Sequence, residues 1–339
     1  MSDDTLCGKR ICFPVPGRVE LEDVKIDTAN LGGSEVVVQG LRSVISPGTE
    51  LAHFRGDSAG GVLGHAHRAD TRFYPGYAMV GTVLAAGNAS GLAPGMKVLS
   101  HTPHQSIVRF DARERVCVEL PKGIGPDVAP FARLVQVGGI SLQLSNARPG
   151  DTVAVIGLGP VGNLVAQLAQ ASGYRVVGVE RSEARRALAR AVGLTTVVEP
   201  ENALEVLSPP GATLVLECSG RQGALRLGTE LCALRGEIMT VGAPWIPEAE
   251  VAASSIVARV FERFLTLRSG WEWQAPRYGE GRSIANCTSW IVEELAAGVI
   301  KTKPLVSGVI RPEEAQNAYE HIEQDPDRHV TYLFNWEEN

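Results

Sequence analysis

Thr152-Val153-Ala154-Val155-Ile156-Gly157-Leu158-Gly159-Pro160-Val161-Gly162 is the stretch whose reading decides the fold. Thr152–Ile156 is a continuous apolar run bounded by Arg148-Pro149-Gly150-Asp151, and it suits a buried strand of a parallel sheet. Val161–Ala171 then carries apolar residues at helical spacing and stops at Gly173. A G-x-G-x-x-G spacing alone says little; between a strand and a helix it reads as a dinucleotide-binding turn. Gly157 permits the tight turn, Gly159 lets backbone approach a pyrophosphate, and Gly162 lets helix and strand pack closely. Pro160 and Val161 open the helix, whose free N–H groups and partial positive charge face the anion.

The next strand, Arg175–Val179, ends at Glu180. A carboxylate there can accept both hydroxyls of an adenosine ribose and would repel a 2′-phosphate. Arg181 could clamp that phosphate or stack on adenine. An unneutralised carboxylate beside a dianion is costly, so NAD is expected over NADP.

Outward from this centre, strand and helix signals alternate. Ser182 caps a helix from Glu183 to about Val192, and Leu214–Glu217, Glu237–Val241 and Phe264–Leu267 repeat the strand pattern. The alternation predicts an α/β fold with a doubly wound parallel sheet over residues 123–290. Residues 1–122 read as β-rich, with short runs such as Glu35–Val38, Val80–Leu84 and Val116–Leu120 between turn signals like Ser46-Pro47-Gly48. The stretch from 53 to 77 reads as loop. Beyond it all, Trp290–Ala297 and a segment opened by Pro312 read as helices, and Leu305–Ile310 and Val330–Phe334 as strands.

Composition narrows the classes. The chain has 339 residues, long enough for two domains, with 44% hydrophobic and 21% charged residues. Lys+Arg is 32 against Asp+Glu 38, giving a net charge of −6 without a basic cluster, so no nucleic-acid partner is expected. No apolar run approaches the roughly 20 residues of a membrane span. The acidic start, Met1 to Leu6, lacks a signal-peptide pattern, which predicts a cytoplasmic protein. The six cysteines form no C-x-x-C pair and read as buried small hydrophobes.

Taken together, these motifs resemble the medium-chain dehydrogenase/reductase superfamily, the alcohol-dehydrogenase-like enzymes, over nearly the full length. The resemblance runs through Arg148-Pro149-Gly150-Asp151 and the glycine turn, Glu217-Cys218-Ser219-Gly220, Val241-Gly242-Ala243-Pro244 and Lys303-Pro304-Leu305-Val306. It implies a Rossmann domain plus a GroES-like catalytic domain completed by residues 291–339. It also implies that Ser219 and Gly242 lie beside the coenzyme, and that the edge strand at Phe264–Leu267 joins a homodimer. The zinc-ligand runs of that family are altered: Pro47-Gly48-Thr49-Glu50, Gly76-Tyr77-Ala78 and Ala132-Arg133-Leu134 stand in their places. Zinc needs three or four N, S or O donors, so no metal is expected. Ile45–Leu51 and Pro103-His104-Gln105 are similar to a zinc-lacking branch that includes bacteriochlorophyllide hydroxyethyl dehydrogenases and secondary-metabolite or sugar-type dehydrogenases.

Without zinc, a side chain must handle the hydroxyl proton during hydride transfer. Tyr77, at a matched ligand position, either points into the cleft or fills the lost metal volume. His104 is the other candidate, since a neutral imidazole relays protons near physiological pH. Glu50 either orients His104 or pairs with Arg133, and Thr49 either relays protons or makes an ordinary turn bond. His53, His65 and His67 read as a solvated loop, and Trp271 and Trp273 as a wall of the cleft or of a subunit contact. The expected function is NAD-dependent interconversion of a secondary alcohol and a ketone on a small molecule. The alternatives are an enoyl or quinone reductase, a redox-neutral enzyme on retained NAD, and a catalytically silent nucleotide-binding protein.

Overall fold

Thr152–Ile156 lies inside a six-stranded, wholly parallel sheet in a computed structural model that describes residues 5–57, 72–245, 247–279 and 281–337. The strand order is Val197–Val198, Arg175–Val179, Thr152–Ile156, Ala212–Glu217, Cys232–Thr240, Thr266–Ser269. The chain therefore builds outward from Thr152–Ile156 in one direction, returns, and builds outward again from Ala212–Glu217. Order reverses between those two strands, and their carboxyl ends are where an open α/β sheet forms its ligand crevice. Val153, Val155, Leu214 and Leu216 are fully buried, as strands covered by helices on both faces require.

A second sheet of seven strands holds Glu35–Val44, Met79–Ala86, Lys97–Ser100, Ile107–Asp111 and Cys117–Glu119. Two strands from the far end of the chain, Val306–Ile310 and Thr331–Asn335, complete it, with Thr331–Asn335 antiparallel to Glu35–Val44. A separate hairpin pairs Thr5–Cys12 with Glu20–Asp27. The helix Phe131–Leu144 links the halves, packing on Pro160–Ala171 and on Ile284–Ala296. Gly138 makes that approach possible, because a Cβ there would lie 2.7 Å from Val165. One core cluster accordingly contains Val44 and Leu99 from one sheet's side and Leu164, Leu168 and Ile291 from the helices of the other.

Several sequence expectations shift. Ser46-Pro47-Gly48 does not remain a turn: it starts the helix Pro47–Arg55, with proline in its first turn. The expected helix at Trp290 begins earlier, at Ile284, where the Ser283 hydroxyl accepts the Asn286 N–H. The edge strand is Thr266–Ser269 rather than Phe264–Leu267, since Phe264 sits at φ 53° in the turn before it. Ser182 does cap its helix, accepting from Arg185 N–H. All six cysteines are free thiols, and burial pushes Cys117, Cys232 and Cys287 up to about 12; Cys7 departs from the expectation by being exposed. Among the described residues no helix is long and apolar enough to cross a membrane.

Candidate active site

The glycine turn shows why each glycine is needed. Gly157 has φ 86°, and a Cβ on it would lie 2.8 Å from Ser219 Cβ, across the switch point. A Cβ on Gly162 would lie 1.8 Å from the Gly157 carbonyl oxygen, so only glycine closes the turn. Gly159 differs: its missing Cβ faces open space, with Arg185 the nearest group at 3.9 Å. That open approach lies at the N-terminus of the helix Pro160–Ala171, whose first N–H groups suit a pyrophosphate.

Glu180 is buried at the end of its strand, and its two oxygens accept from Leu158 N–H at 2.8 Å and Ser182 N–H at 3.0 Å. Those bonds fix the carboxylate beside the turn and leave lone pairs for hydroxyl donors. Arg181 is exposed. Across the switch point, Glu217 accepts from Ser219 N–H at 2.7 Å and from Gly220 N–H at 3.1 Å, which shapes the turn after its strand. Burial nevertheless raises its pKa above the usual carboxylate value. Gly242 is held equally tightly, 2.2 Å from Gly220 N for an added Cβ. The donor set and the cradle fit a dinucleotide.

The other side of the cleft is built from the first turns of two helices. Pro47–Arg55 projects Glu50 inward, where the residue is only 1% exposed. Its Oε1 accepts Ser46 N–H at 2.8 Å, and its Oε2 accepts Tyr319 O–H at 2.5 Å and His104 Nε2–H at 2.9 Å. The other ring nitrogen of His104 meets Ser43 Oγ at 2.7 Å, and Trp336 Nε1–H donates to that same oxygen at 2.9 Å. A neutral His104 with its proton on Nε2 satisfies every member of this chain. His104 is fully buried with both nitrogens engaged, so it does not line the cleft as the sequence suggested. Tyr319 and Trp336, which close the network, come from the C-terminal segment.

Tyr77 is half-buried, and its hydroxyl donates to Ser46 Oγ. Burial raises the phenol's pKa, so it holds its proton at neutral pH. The Arg133 guanidinium lies over its ring at 4.6 Å. Arg133 pairs with Glu272 at 2.6 Å, while Glu50 meets His104 at 2.9 Å. Arg133 Nη1 also donates to Gln136 Oε1 at 2.7 Å. Thr49 lies half-buried on the first turn of Pro47–Arg55. His53 is no solvated loop residue: it sits on that helix, 4% exposed, stacked on Phe73 at 3.9 Å. His65 and His67 lie outside the described residues. Trp271 and Trp273 flank buried Glu272 and are themselves exposed.

A parallel sheet with an open glycine turn at its switch point, joined to a β-rich half, defines an α/β protein whose switch-point crevice suits a dinucleotide. Residues 160–270 match the family model described as zinc-binding dehydrogenase. The D-xylulose reductase A of Aspergillus oryzae is 26% identical over 220 residues, covering 62% of this chain and 57% of that protein. The 2-dehydro-3-deoxy-L-galactonate 5-dehydrogenase of Pseudoalteromonas atlantica is 24% identical over 230 residues, 66% of this chain and 63% of that one. The chain thus spans less than two thirds of the length of these relatives. Among solved structures, galactitol-1-phosphate dehydrogenase from Escherichia coli superimposes with a TM-score of 0.81 at 17% identity, over 96% of this chain and 99% of that one. L-idonate 5-dehydrogenase from Escherichia coli gives 0.79 at 18% identity, over 98% and 99%. The fold, a Rossmann half and a GroES-like half, is the one that these solved dehydrogenases share, and residues 160–270 match the zinc-binding dehydrogenase model within it.

The family's usual metal is a poor match to these side chains. The positions that the resemblance assigns to zinc ligands carry Pro47, Tyr77 and the Ala132-Arg133-Leu134 run, and the Arg133 guanidinium stacks on the phenol ring. None of those positions offers a thiolate or an imidazole, and the nearby Glu50 and Glu272 carboxylates are already engaged by Ser46 N–H, Tyr319, His104 and Arg133. Among the described residues no three His, Cys, Asp or Glu side chains converge as a metal site.

Proposed function

We propose that this protein is a zinc-independent, NAD-dependent oxidoreductase that interconverts a secondary alcohol and a ketone on a small polyhydroxylated molecule. The observation that carries the reading is the pairing of two features: an open glycine turn backed by the buried Glu180, and a guanidinium-capped Tyr77 where a metal ligand would stand. Sugar and polyol dehydrogenases among the relatives support the substrate class. Gly157, Gly159, Gly162 and the first turn at Pro160 and Val161 would hold the pyrophosphate, Glu180 the adenosine ribose, and Ser219 and Gly242 the nicotinamide side. Bound NAD supplies the hydride acceptor or donor.

The chain's own part is proton handling. Tyr77 keeps its phenolic proton and shares it with Ser46, so it can hydrogen-bond a substrate oxygen and exchange a proton with it. Glu50 and His104 are positioning residues in this scheme: the carboxylate grips Ser46 N–H, and the imidazole holds the carboxylate. Thr49 stands beside them on the same turn. A panel of polyols and their ketones, assayed with NAD and NADP, tests the proposal. Turnover of a C=C substrate in preference to any alcohol or ketone would reject it.

A cytoplasmic homodimer completes the proposal. Leu234, Phe261 and Phe264 are 60%, 79% and 62% exposed near the edge strand Thr266–Ser269, and a symmetric pairing would cover them. Light scattering at micromolar concentration that gives a monomer mass would reject this part.

A further inference from the structure

Among the described residues, the buried polar atoms with no hydrogen-bond partner include both ring nitrogens of His101, Nε of Arg133, whose guanidinium lies over the Tyr77 ring, and Gln136 Nε2. Their residues are 7%, 2% and 0% exposed. Buried polar atoms are nearly always paired, because an unpaired one loses its hydration uncompensated. Such a concentration therefore calls for a ligand or water that supplies the missing partners. His101 follows the strand Lys97–Ser100, while Arg133 and Gln136 sit three residues apart on the first turns of Phe131–Leu144. Sequence reasoning passed over His101 and Gln136 altogether.

The arrangement is rigid. Glu272 occupies Arg133 Nη2 and the Gln136 carbonyl oxygen occupies Nη1, so the guanidinium is fixed with its Nε–H edge unused. The same bond turns the Gln136 amide so that its NH₂ group is also unused. Burial, reinforced by the charges of Arg133 and Arg115, holds the His101 pKa well below its ordinary value and keeps the ring neutral. A neutral imidazole offers one N–H and one lone pair. With Glu272 balancing Arg133, the cluster presents several donors and one acceptor without net charge.

We propose that Arg133, Gln136 and His101 form the oxygen-recognition site of this protein, taking the carbonyl or hydroxyl oxygen of the substrate carbon that exchanges hydride. The inference rests on the oxidoreductase reading and deepens it. A neutral cluster fits an oxygen whose charge develops during the reaction better than a carboxylate, whose full charge would stay uncompensated. Fixed donors in a water-excluded site stabilise such a developing alkoxide without reorganising. The lone pair on His101 distinguishes a hydroxyl, which donates as well as accepts, from a carbon–carbon double bond, which does neither. Arg133 thereby does through hydrogen bonding what a metal does as a Lewis acid.

The test measures binding. Isobutyramide, an unreactive amide whose carbonyl stands for that of a ketone, is titrated into the full chain saturated with NADH. The ¹⁵N signals of the histidine rings are followed, with His101 assigned through their loss in His101→Phe. The expected result is a moving His101 signal, with amide affinity reduced by about tenfold or more in His101→Phe and Gln136→Leu and NADH affinity unchanged within about threefold. If His101→Phe does not fold, His101→Asn assigns the signal and Gln136→Leu carries the affinity measurement. An unmoved His101 signal, unchanged affinity in the variants, or no amide binding to NADH-loaded protein overturns the proposal. Failure of NADH to bind at all is a different result: it removes the coenzyme reading, and this inference with it.

Discussion

The two walls of the cleft obey different rules. On the wall proposed for the coenzyme, the backbone shapes the site: Gly157, Gly159 and Gly162 matter for what they lack, and two N–H groups hold Glu180 beside the turn. On the wall proposed for catalysis, side chains from distant segments gather: Ser43, Glu50, His104, Tyr319 and Trp336 form one buried network, Arg133, Gln136 and Glu272 another, and Tyr77 lies between them, bonded to Ser46 and stacked under Arg133. A backbone device is written in consecutive residues and survives with little freedom to vary. A side-chain device can change its members and keep the fold around it.

The largest expected effect contrasts two glycines on the coenzyme wall. Gly162→Ala forces a Cβ to 1.8 Å from a carbonyl oxygen, so it should cost about 3 kcal/mol of stability or more and abolish NADH binding. Gly159→Ala meets nothing nearer than 3.9 Å and should keep its melting temperature while weakening NADH. Equal melting temperatures in the two variants would break the distinction.

The catalytic wall should separate turnover from stability. Tyr77→Phe is expected to lower kcat by more than roughly 50-fold with NAD affinity within about threefold. His104→Ala instead leaves the Glu50 carboxylate buried with one donor fewer, and should cost on the order of 3 kcal/mol in denaturant unfolding. A stable His104→Ala with full loss of turnover would return His104 to a direct role. Near-native turnover in both variants would pass proton handling to Glu50, Thr49 or the substrate.

Coenzyme choice is a smaller term. NAD(H) should bind about tenfold tighter than NADP(H), close to 1.4 kcal/mol, and Glu180→Ser should narrow the gap. Calorimetry with tighter NADP(H) would reverse the assignment. The smallest effect is acid sensitivity from His101. Its folded pKa lies below the ordinary 6.5, so below that pH the unfolded chain binds the extra proton. Stability from this residue is present above about 6.5 and declines as pH falls, and His101→Phe should flatten that decline. An unchanged acid limb of the melting curve would contradict the buried, neutral ring.

How much of this was legible in sequence follows from the same contrast. Thr152–Ile156 and Arg175–Val179 were read to the residue, because a short apolar run ended by turn residues has one reading in a parallel sheet. The helix Pro47–Arg55 was hidden by Ser46-Pro47-Gly48, which carries turn chemistry, although proline in a first helical turn was the available signal. Tyr77 was singled out by its place in an altered ligand run, and it lies against Ser46 and the Arg133 guanidinium. The partner of Arg133 was not, since no periodicity connects position 133 with Glu272. Nor could spacing show that the His104 ring is bonded at both nitrogens while the ring of His101, three residues earlier, finds no partner among the described residues: only the packing of both sheets decides that.

The central claim, a dehydrogenase fold whose catalytic wall works without metal, is tested most directly by elemental analysis of protein purified without chelator and assayed in parallel. The account predicts well under one zinc per chain in an active preparation. Stoichiometric zinc, removable with loss of activity, would contradict it.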